Sequence, residues 1–159
     1  MVKVTVLCMG ALKEDYLARA VAEYEKRLSA FCQVEIVQLR EEKLPPDAPE
    51  GAVRAALERE GERLGAKIPP GAYTVALCVE GEMPDSEKLA DILSRASDTS
   101  GKICFLIGSA YGLSPAVKAR ADYRLSLSRL TMPHILARVV LMEAVYRSFA
   151  IRAGKPYHR

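Results

Sequence analysis

Three short segments carry residue types able to hold a ligand and move a proton. The first, Leu77-Cys78-Val79-Glu80-Gly81, ends an apolar run on a carboxylate and a glycine. The second, Ile107-Gly108-Ser109-Ala110-Tyr111-Gly112-Leu113-Ser114, combines two glycines, two hydroxyls and an aromatic ring. Gly108 and Gly112 allow a tight turn and a close approach of main chain to a ligand. The third, Leu127-Ser128-Arg129-Leu130-Thr131-Met132-Pro133-His134, places hydroxyls, a cation and an imidazole ahead of an apolar helix. Pro133 can open that helix, whose free N–H groups then face the loop. A neutral imidazole at His134 is a candidate proton acceptor. The chain closes on Arg152-Ala153-Gly154-Lys155-Pro156-Tyr157-His158-Arg159, where cations alternate with flat rings. Such a tail suits an unstacked base beside a phosphate backbone. Each feature also has a plainer reading: a strand-to-helix turn, a structural histidine, a frayed end.

Several chemistries find no support. The Gly108 segment is neither G-x-G-x-x-G nor a P-loop, so a dinucleotide site is unsupported. Cys8, Cys32, Cys78 and Cys104 are separated by 24, 46 and 26 residues, which is not zinc spacing. Cys8, Cys78 and Cys104 lie in apolar runs and read as buried thiols that behave as small hydrophobes. With only two histidines, a metal site is not expected. No apolar run approaches the ~18 residues of a membrane span. The opening Met1–Leu7 stretch is too short for a secretory signal, so a cytoplasmic protein is expected.

Charge is unevenly spread. The net charge is +3. Residues 1–100 carry 13 basic and 18 acidic side chains, a net of −5. Residues 101–159 carry 10 basic and 2 acidic side chains, a net of +8, the two acids being Asp122 and Glu143. An excess spread over several elements points to a polyanionic partner for the C-terminal part.

These segments need a scaffold. The 159 residues suit one domain. Alternation over residues 2–9 reads as a strand, and Leu17, Val21, Tyr24 and Leu28 form one face of a helix over about 13–29. Val34, Ile36 and Leu39 suggest a second strand, and residues 41–51 a proline-rich loop. A helix over about 51–66 precedes the Pro69-Pro70-Gly71 turn. Residues 73–79 and 103–107 look like strands buried on both faces, as in a parallel sheet. Asp85 or Ser86 can cap a helix between them. Ser114-Pro115 opens a short helix over 115–121. Tyr123, Leu125 and Leu127 alternate as a last strand, and residues 133–152 make the final helix. Its stripe of Ile135, Val139, Met142, Tyr146 and Phe149 is broad enough to meet both the sheet and a second subunit. The strictly alternating order predicts an α/β fold with a mainly parallel sheet and helices on both faces. Ligands in such folds sit beyond the carboxyl ends of the strands, where the three segments lie.

The last third of the chain is specific enough to resemble a family. Phe105-Leu106-Ile107-Gly108, Tyr111-Gly112-Leu113-Ser114, Leu125-Ser126-Leu127-Ser128, Thr131-Met132-Pro133-His134, Arg138-Val139, Val145-Tyr146-Arg147 and Pro156-Tyr157-His158-Arg159 resemble the RlmH-type ribosomal RNA methyltransferases of the SPOUT superfamily. The likeness covers the whole chain, as a single SPOUT methyltransferase domain over 1–159. It departs at Ser109, where the family usually has glycine, and at Met132, where an aromatic residue or leucine is usual. The resemblance implies an α/β trefoil knot in the C-terminal part. It implies S-adenosylmethionine held by Leu77, Gly108, Leu127, Ser128, Arg129, Leu130, Thr131 and Met132. It implies methylation of N3 of a pseudouridine in 23S ribosomal RNA on the assembled ribosome, by a homodimer. His134, Arg138, Tyr157 and His158 are the catalytic candidates; Arg129, Arg152, Lys155, Tyr157, His158 and Arg159 are the RNA-binding ones. A valine at Gly108 is expected to exclude the cofactor while leaving the fold intact. Two other classes remain at this stage: a non-enzymatic ribosome- or RNA-binding protein, and a flavodoxin-like nucleotide-binding domain, for which Met9-Gly10-Ala11-Leu12-Lys13 is a poor phosphate loop.

Overall fold

The computed structural model describes residues 1–156. Five strands alternate with five helices: β1 (Lys3–Met9), α1 (Asp15–Leu28), β2 (Gln33–Leu39), α2 (Glu50–Lys67), β3 (Tyr73–Glu82), α3 (Ser86–Ser100), β4 (Lys102–Ile107), α4 (Pro115–Arg120), β5 (Tyr123–Leu125) and α5 (His134–Arg152). All strand pairs are parallel, in the order β2-β1-β4-β3-β5.

Side chains on a strand alternate between faces, so a sheet covered on both sides needs apolar residues at every position. β1 shows the consequence. Val4, Val6 and Cys8 pack with Val21 and Leu28 of α1, Leu93 of α3, and Leu141, Met142 and Val145 of α5. Leu7 and Met9 point the other way, to Leu64 of α2 and Val117 of α4. Three helices therefore cover one face and two the other. Phe105, at the centre of β4, has no exposed surface. Burying such a side chain contributes ~1.5–3 kcal/mol.

Local signals mark the helix ends. Asp85 accepts the Lys88 N–H at 2.8 Å, and α3 stops at Gly101 in the left-handed region (φ +72°). Ser114 accepts the Val117 N–H at 3.2 Å, with Pro115 in the first helical position.

Four sequence expectations change. The buried stripe of α5 is Arg138, Leu141, Met142, Val145, Ser148 and Phe149. Met142 and Phe149 of the expected stripe are buried, but Ile135, Val139 and Tyr146 are half-buried, so the inward face is turned slightly from the expected one. Packing between α1 and α3 decided the rotation, because the helix is apolar nearly all round. Pro133 stands at the N-cap, its carbonyl accepting the Ala137 N–H at 2.9 Å, so α5 begins one residue later than expected, at His134. The last strand ends at Leu125 instead of Leu127, and β3 continues to Glu82. Cys78 is half-buried, whereas Cys8, Cys32 and Cys104 are buried.

β5 is short, and side-chain hydrogen bonds secure its start. Asp122 accepts from the Thr74 N–H at 2.8 Å and from the Thr74 hydroxyl at 3.1 Å. The Thr74 hydroxyl oxygen accepts the Asp122 N–H at 3.0 Å. Asp122→Ala should destabilise the protein by about 1–3 kcal/mol, because the Thr74 amide loses its acceptor. Equilibrium urea denaturation measures this as a lower midpoint at unchanged slope.

Candidate active site

The main cleft follows from where β3 leaves β4. The two strands pair as far as Ala76 and Leu106. From Leu77 onward β3 pairs only with β5, and its register shifts between Leu77 and Glu82. A cleft of about 280 Å³ opens at the carboxyl ends of β3, β4 and β5. Its walls are Leu77–Glu80, Ile107–Leu113 and the Leu125–Met132 segment without Arg129, with Lys118, His134 and Ala137 at the edges.

Two close approaches hold these walls. A Cβ on Gly81 would lie 2.8 Å from the Arg124 carbonyl, so only glycine lets β3 pass β5 there. A Cβ on Gly108 would lie 2.2 Å from the Gly112 carbonyl oxygen. Gly112 in turn has φ +85° and donates its N–H to the Ser109 carbonyl at 2.9 Å. Gly108 is therefore required by its own loop. The expectation that a valine there leaves the fold intact is overturned: the branched side chain meets protein backbone first.

The third wall is ordered by hydroxyls. Ser126 donates its N–H to Glu82 O at 2.8 Å and its hydroxyl to Ser128 O at 3.1 Å. The Ser128 hydroxyl oxygen accepts the Leu130 N–H at 2.9 Å, which curls the segment into a cup. Among the described residues, the N–H groups of Leu127, Thr131 and Met132 meet no backbone carbonyl. Main-chain polar groups in a folded protein find partners. The segment that carries them borders a space walled by Leu77, Leu125 and Leu127, which suits a flat heteroaromatic ring with hydrogen-bonding edges.

The rim is polar on one side and apolar on the other. Lys118 on α4 donates to Glu80 at 2.5 Å, and this bond holds the Glu80 carboxyl below its ordinary range. Tyr111 and Leu130, which also line the cleft, are both exposed. Burial, with the Glu80 charge adding to it, pushes the Cys78 thiol up.

Of the cofactor candidates, Leu77, Gly108, Leu127, Ser128, Leu130, Thr131 and Met132 line the cleft. Arg129 does not, and is exposed on the same loop. His134 lines the cleft with its Nε2 3.6 Å from the Glu41 carboxylate. Arg138 is placed elsewhere. It is wholly buried and donates from Nη2 to the carbonyls of Gly10 at 3.0 Å and Met9 at 3.3 Å. Its role as a cation facing substrate is not what this geometry provides; it anchors α5 to the end of β1. Arg152 pairs with Asp98 at 2.6 Å on the surface, and Lys155 is exposed. Tyr157, His158 and Arg159 lie outside the described residues. Sequence reasoning missed Lys118, which lines the cleft from α4, and Glu41, which stands against His134; both are brought there only by tertiary packing. Among the described residues no cluster of three His, Cys, Asp or Glu is placed to hold a metal, and no helix is long and apolar enough to cross a membrane.

A parallel α/β sheet with a ligand cleft at its carboxyl edge defines a class of cofactor-binding domains. Comparison with known proteins narrows the class. The model of the predicted SPOUT methyltransferase family matches residues 2–158, and the chain belongs to that family. It is 45% identical over 157 residues to the ribosomal RNA large subunit methyltransferase H of Bacillus pumilus, covering 98% of this chain and 99% of the relative. The protein of that name from Bifidobacterium adolescentis is 43% identical over 158 residues, covering 99% of each chain. Among solved structures, a tRNA (m1G37) methyltransferase from Aquifex aeolicus aligns with a TM-score of 0.52 at 17% identity, covering 92% of this chain and 69% of that one. This likeness is one of fold.

The burial pattern makes a chemical prediction. Burial raises the Cys32 thiol to about 11 and the Cys104 thiol to about 12, and also raises Cys8. Cys78 is the cysteine that a ligand in the cleft would cover. Brief alkylation of the native protein at pH 8 should modify Cys78 first, and S-adenosylhomocysteine should slow it. Peptide mass mapping reads both effects.

Proposed function

We propose that this methyltransferase uses S-adenosylmethionine to methylate N3 of a pseudouridine in 23S ribosomal RNA within the assembled ribosome. The observation that carries the reading is the convergence of three strand ends on one cleft, in a chain related over nearly its full length to enzymes named for ribosomal RNA. The knotted threading of the family and a homodimeric active unit belong to the same proposal.

The cleft passes the test of fit. Its apolar walls accept an adenine ring, and the free main-chain groups of Leu127–Met132 suit the ring's edge. The Glu80–Lys118 pair offers both charges to the zwitterionic amino-acid end of the cofactor. When bound, the sulfonium supplies an electrophilic methyl group. Transfer to N3 would exchange the sulfur–methyl bond for a nitrogen–methyl bond, leaving S-adenosylhomocysteine and an N3 proton for the protein to accept. The protein's part is chiefly to hold nucleophile and methyl in line. His134, at the cleft edge with Glu41 behind it, is placed to take the proton. Arg129 on the exposed part of the third wall's loop, with Arg152 at the end of α5 and Lys155 just past it, supplies cations for the RNA backbone.

Two features support the homodimer. On α5, Leu136 is 40% exposed, and Ile135 and Val140 belong to neither core cluster. The exposed apolar rim at Tyr111 and Leu130 also needs cover or substrate. A partner subunit's C-terminal residues would complete the site with Tyr157, His158 and Arg159.

Two measurements test the proposal. Calorimetry should show one S-adenosylhomocysteine bound per chain, and labelled methyl groups should appear at one pseudouridine when ribosomes are supplied. Deleting residues 157–159 should reduce methylation at least a hundredfold while leaving cofactor affinity within about threefold. The size follows from removing one aligned catalytic or positioning group. Normal turnover by the truncated chain would remove the tail from the mechanism. For the dimer, light scattering should give twice the monomer mass at micromolar concentration, as expected of an interface burying ~1,600 Å².

A further inference from the structure

Glu60 on α2 is a buried carboxylate, only 3% exposed. Among the described residues, neither oxygen meets a cation. Oε1 accepts the Ser109 hydroxyl at 2.8 Å, and Oε2 accepts the Glu42 N–H at 2.8 Å. A buried charge is costly unless its lone pairs are satisfied. Hydrogen bonds to an ionised acceptor are the stronger kind. The two donors belong to segments far apart in sequence: Ser109 lines the cleft, and Glu42 follows the Glu41 carboxylate that stands against His134 at the cleft edge.

Ser109 lies on the cleft wall, between Gly108 and the turn that ends at Gly112. Because Gly108 packs against the Gly112 carbonyl, a rotation of this turn shifts both Gly108 and Tyr111. The Ser109 hydroxyl is its side-chain tether to the sheet's helical cover. On the other side, Glu42 is gripped by Arg59 and Arg63, which hold its carboxyl down at about 2. Arg63 also donates to the Arg40 carbonyl at 2.8 Å. Residues 40–42 are thus pinned to α2 by side chains and, through Glu60, by main chain. The neighbouring Glu41 carboxylate then stands 3.6 Å from His134 Nε2.

We propose that Glu60 is a positioning residue for the cofactor site: its two hydrogen bonds clamp the Ser109 turn and the Glu41–Glu42 segment in the geometry that binds S-adenosylmethionine. The proposal rests on the cofactor reading above. Glu60 acts from α2, outside the cleft wall, so its replacement changes the shape of the site without removing a cleft-lining side chain.

The test uses the full chain and the variants Glu60→Ala, Glu60→Gln, Ser109→Ala and the Glu60→Ala/Ser109→Ala double. Calorimetry with S-adenosylhomocysteine is paired with thermal melts and with kcat and KM for S-adenosylmethionine on ribosomes. Glu60→Ala and Ser109→Ala should each weaken binding about tenfold, the worth of one buried hydrogen bond. KM should rise more than kcat falls. The double variant should be no weaker than Glu60→Ala, since both remove the same bond. Glu60→Gln should stay within about twofold of the unmodified chain, because its amide donates to Ser109 and its carbonyl accepts from Glu42. Should Glu60→Ala not fold, Ser109→Ala and Glu60→Gln decide the question. Wild-type affinity in folded Ser109→Ala, or a tenfold loss in Glu60→Gln, overturns the clamp. Lowered melting temperatures with unchanged affinity would mark a structural role only and overturn it equally. No binding by the unmodified chain would instead overturn the cofactor reading, and the clamp with it.

Discussion

The parting of β3 from β4 after Ala76 is the constraint on which the site depends. A strand inside a parallel sheet has its main-chain groups satisfied by both neighbours. When β3 turns away from β4, the sheet must open between their carboxyl ends. The opening persists because each side is tied elsewhere, β3 to β5 through Leu77 and Leu125, and β4 to a loop that folds on itself at Gly108 and Gly112. Gly81 and Gly108 make these ties sterically possible, and neither close approach tolerates a Cβ.

Buried polar groups then fix the elements around the opening. Arg138 reaches from α5 to the carbonyls at the end of β1. Ser114 caps α4, and a Cβ on Gly61 would press within 2.8 Å of its hydroxyl, so α2 and α4 are closely apposed. Each contact is polar and local, set between apolar clusters that carry most of the folding free energy. The division is physically sensible. Non-directional apolar packing stabilises the layers, while directional hydrogen bonds set loop orientation to within the tolerance that methyl transfer demands.

Charge follows the same geography. Residues 101–159, with a net of +8, supply two of the three cleft walls, α5 and the tail. The acidic part supplies α1, α2 and α3. A polyanionic substrate approaching this protein is therefore drawn toward the cleft side of the chain. The Glu80–Lys118 pair sits where the two parts meet.

The sequence by itself determined the α/β alternation, the parallel sheet and the three loop segments that bear the site. Periodicity and turn chemistry are local, and the buried runs of β3 and β4 and the caps at Asp85 and Ser114 were legible without coordinates. Resemblance added seven of the residues that line the cleft. Tertiary structure alone decided the rest. The rotation of α5 was illegible because a helix apolar on most sides has no preferred inward face until α1 and α3 pack against it. Arg138 looked like a free cation, yet it is buried because carbonyls 128 and 129 residues away need its donors. Gly108 looked like an opening for a ligand, yet the atom it makes room for is the oxygen of Gly112. Glu60 gave no signal at all, since a glutamate on a charged helix reads as solvent-facing until Ser109 and Glu42 close over it. In each case the deciding partner is distant in sequence or set by a loop's path, and neither periodicity nor spacing encodes it.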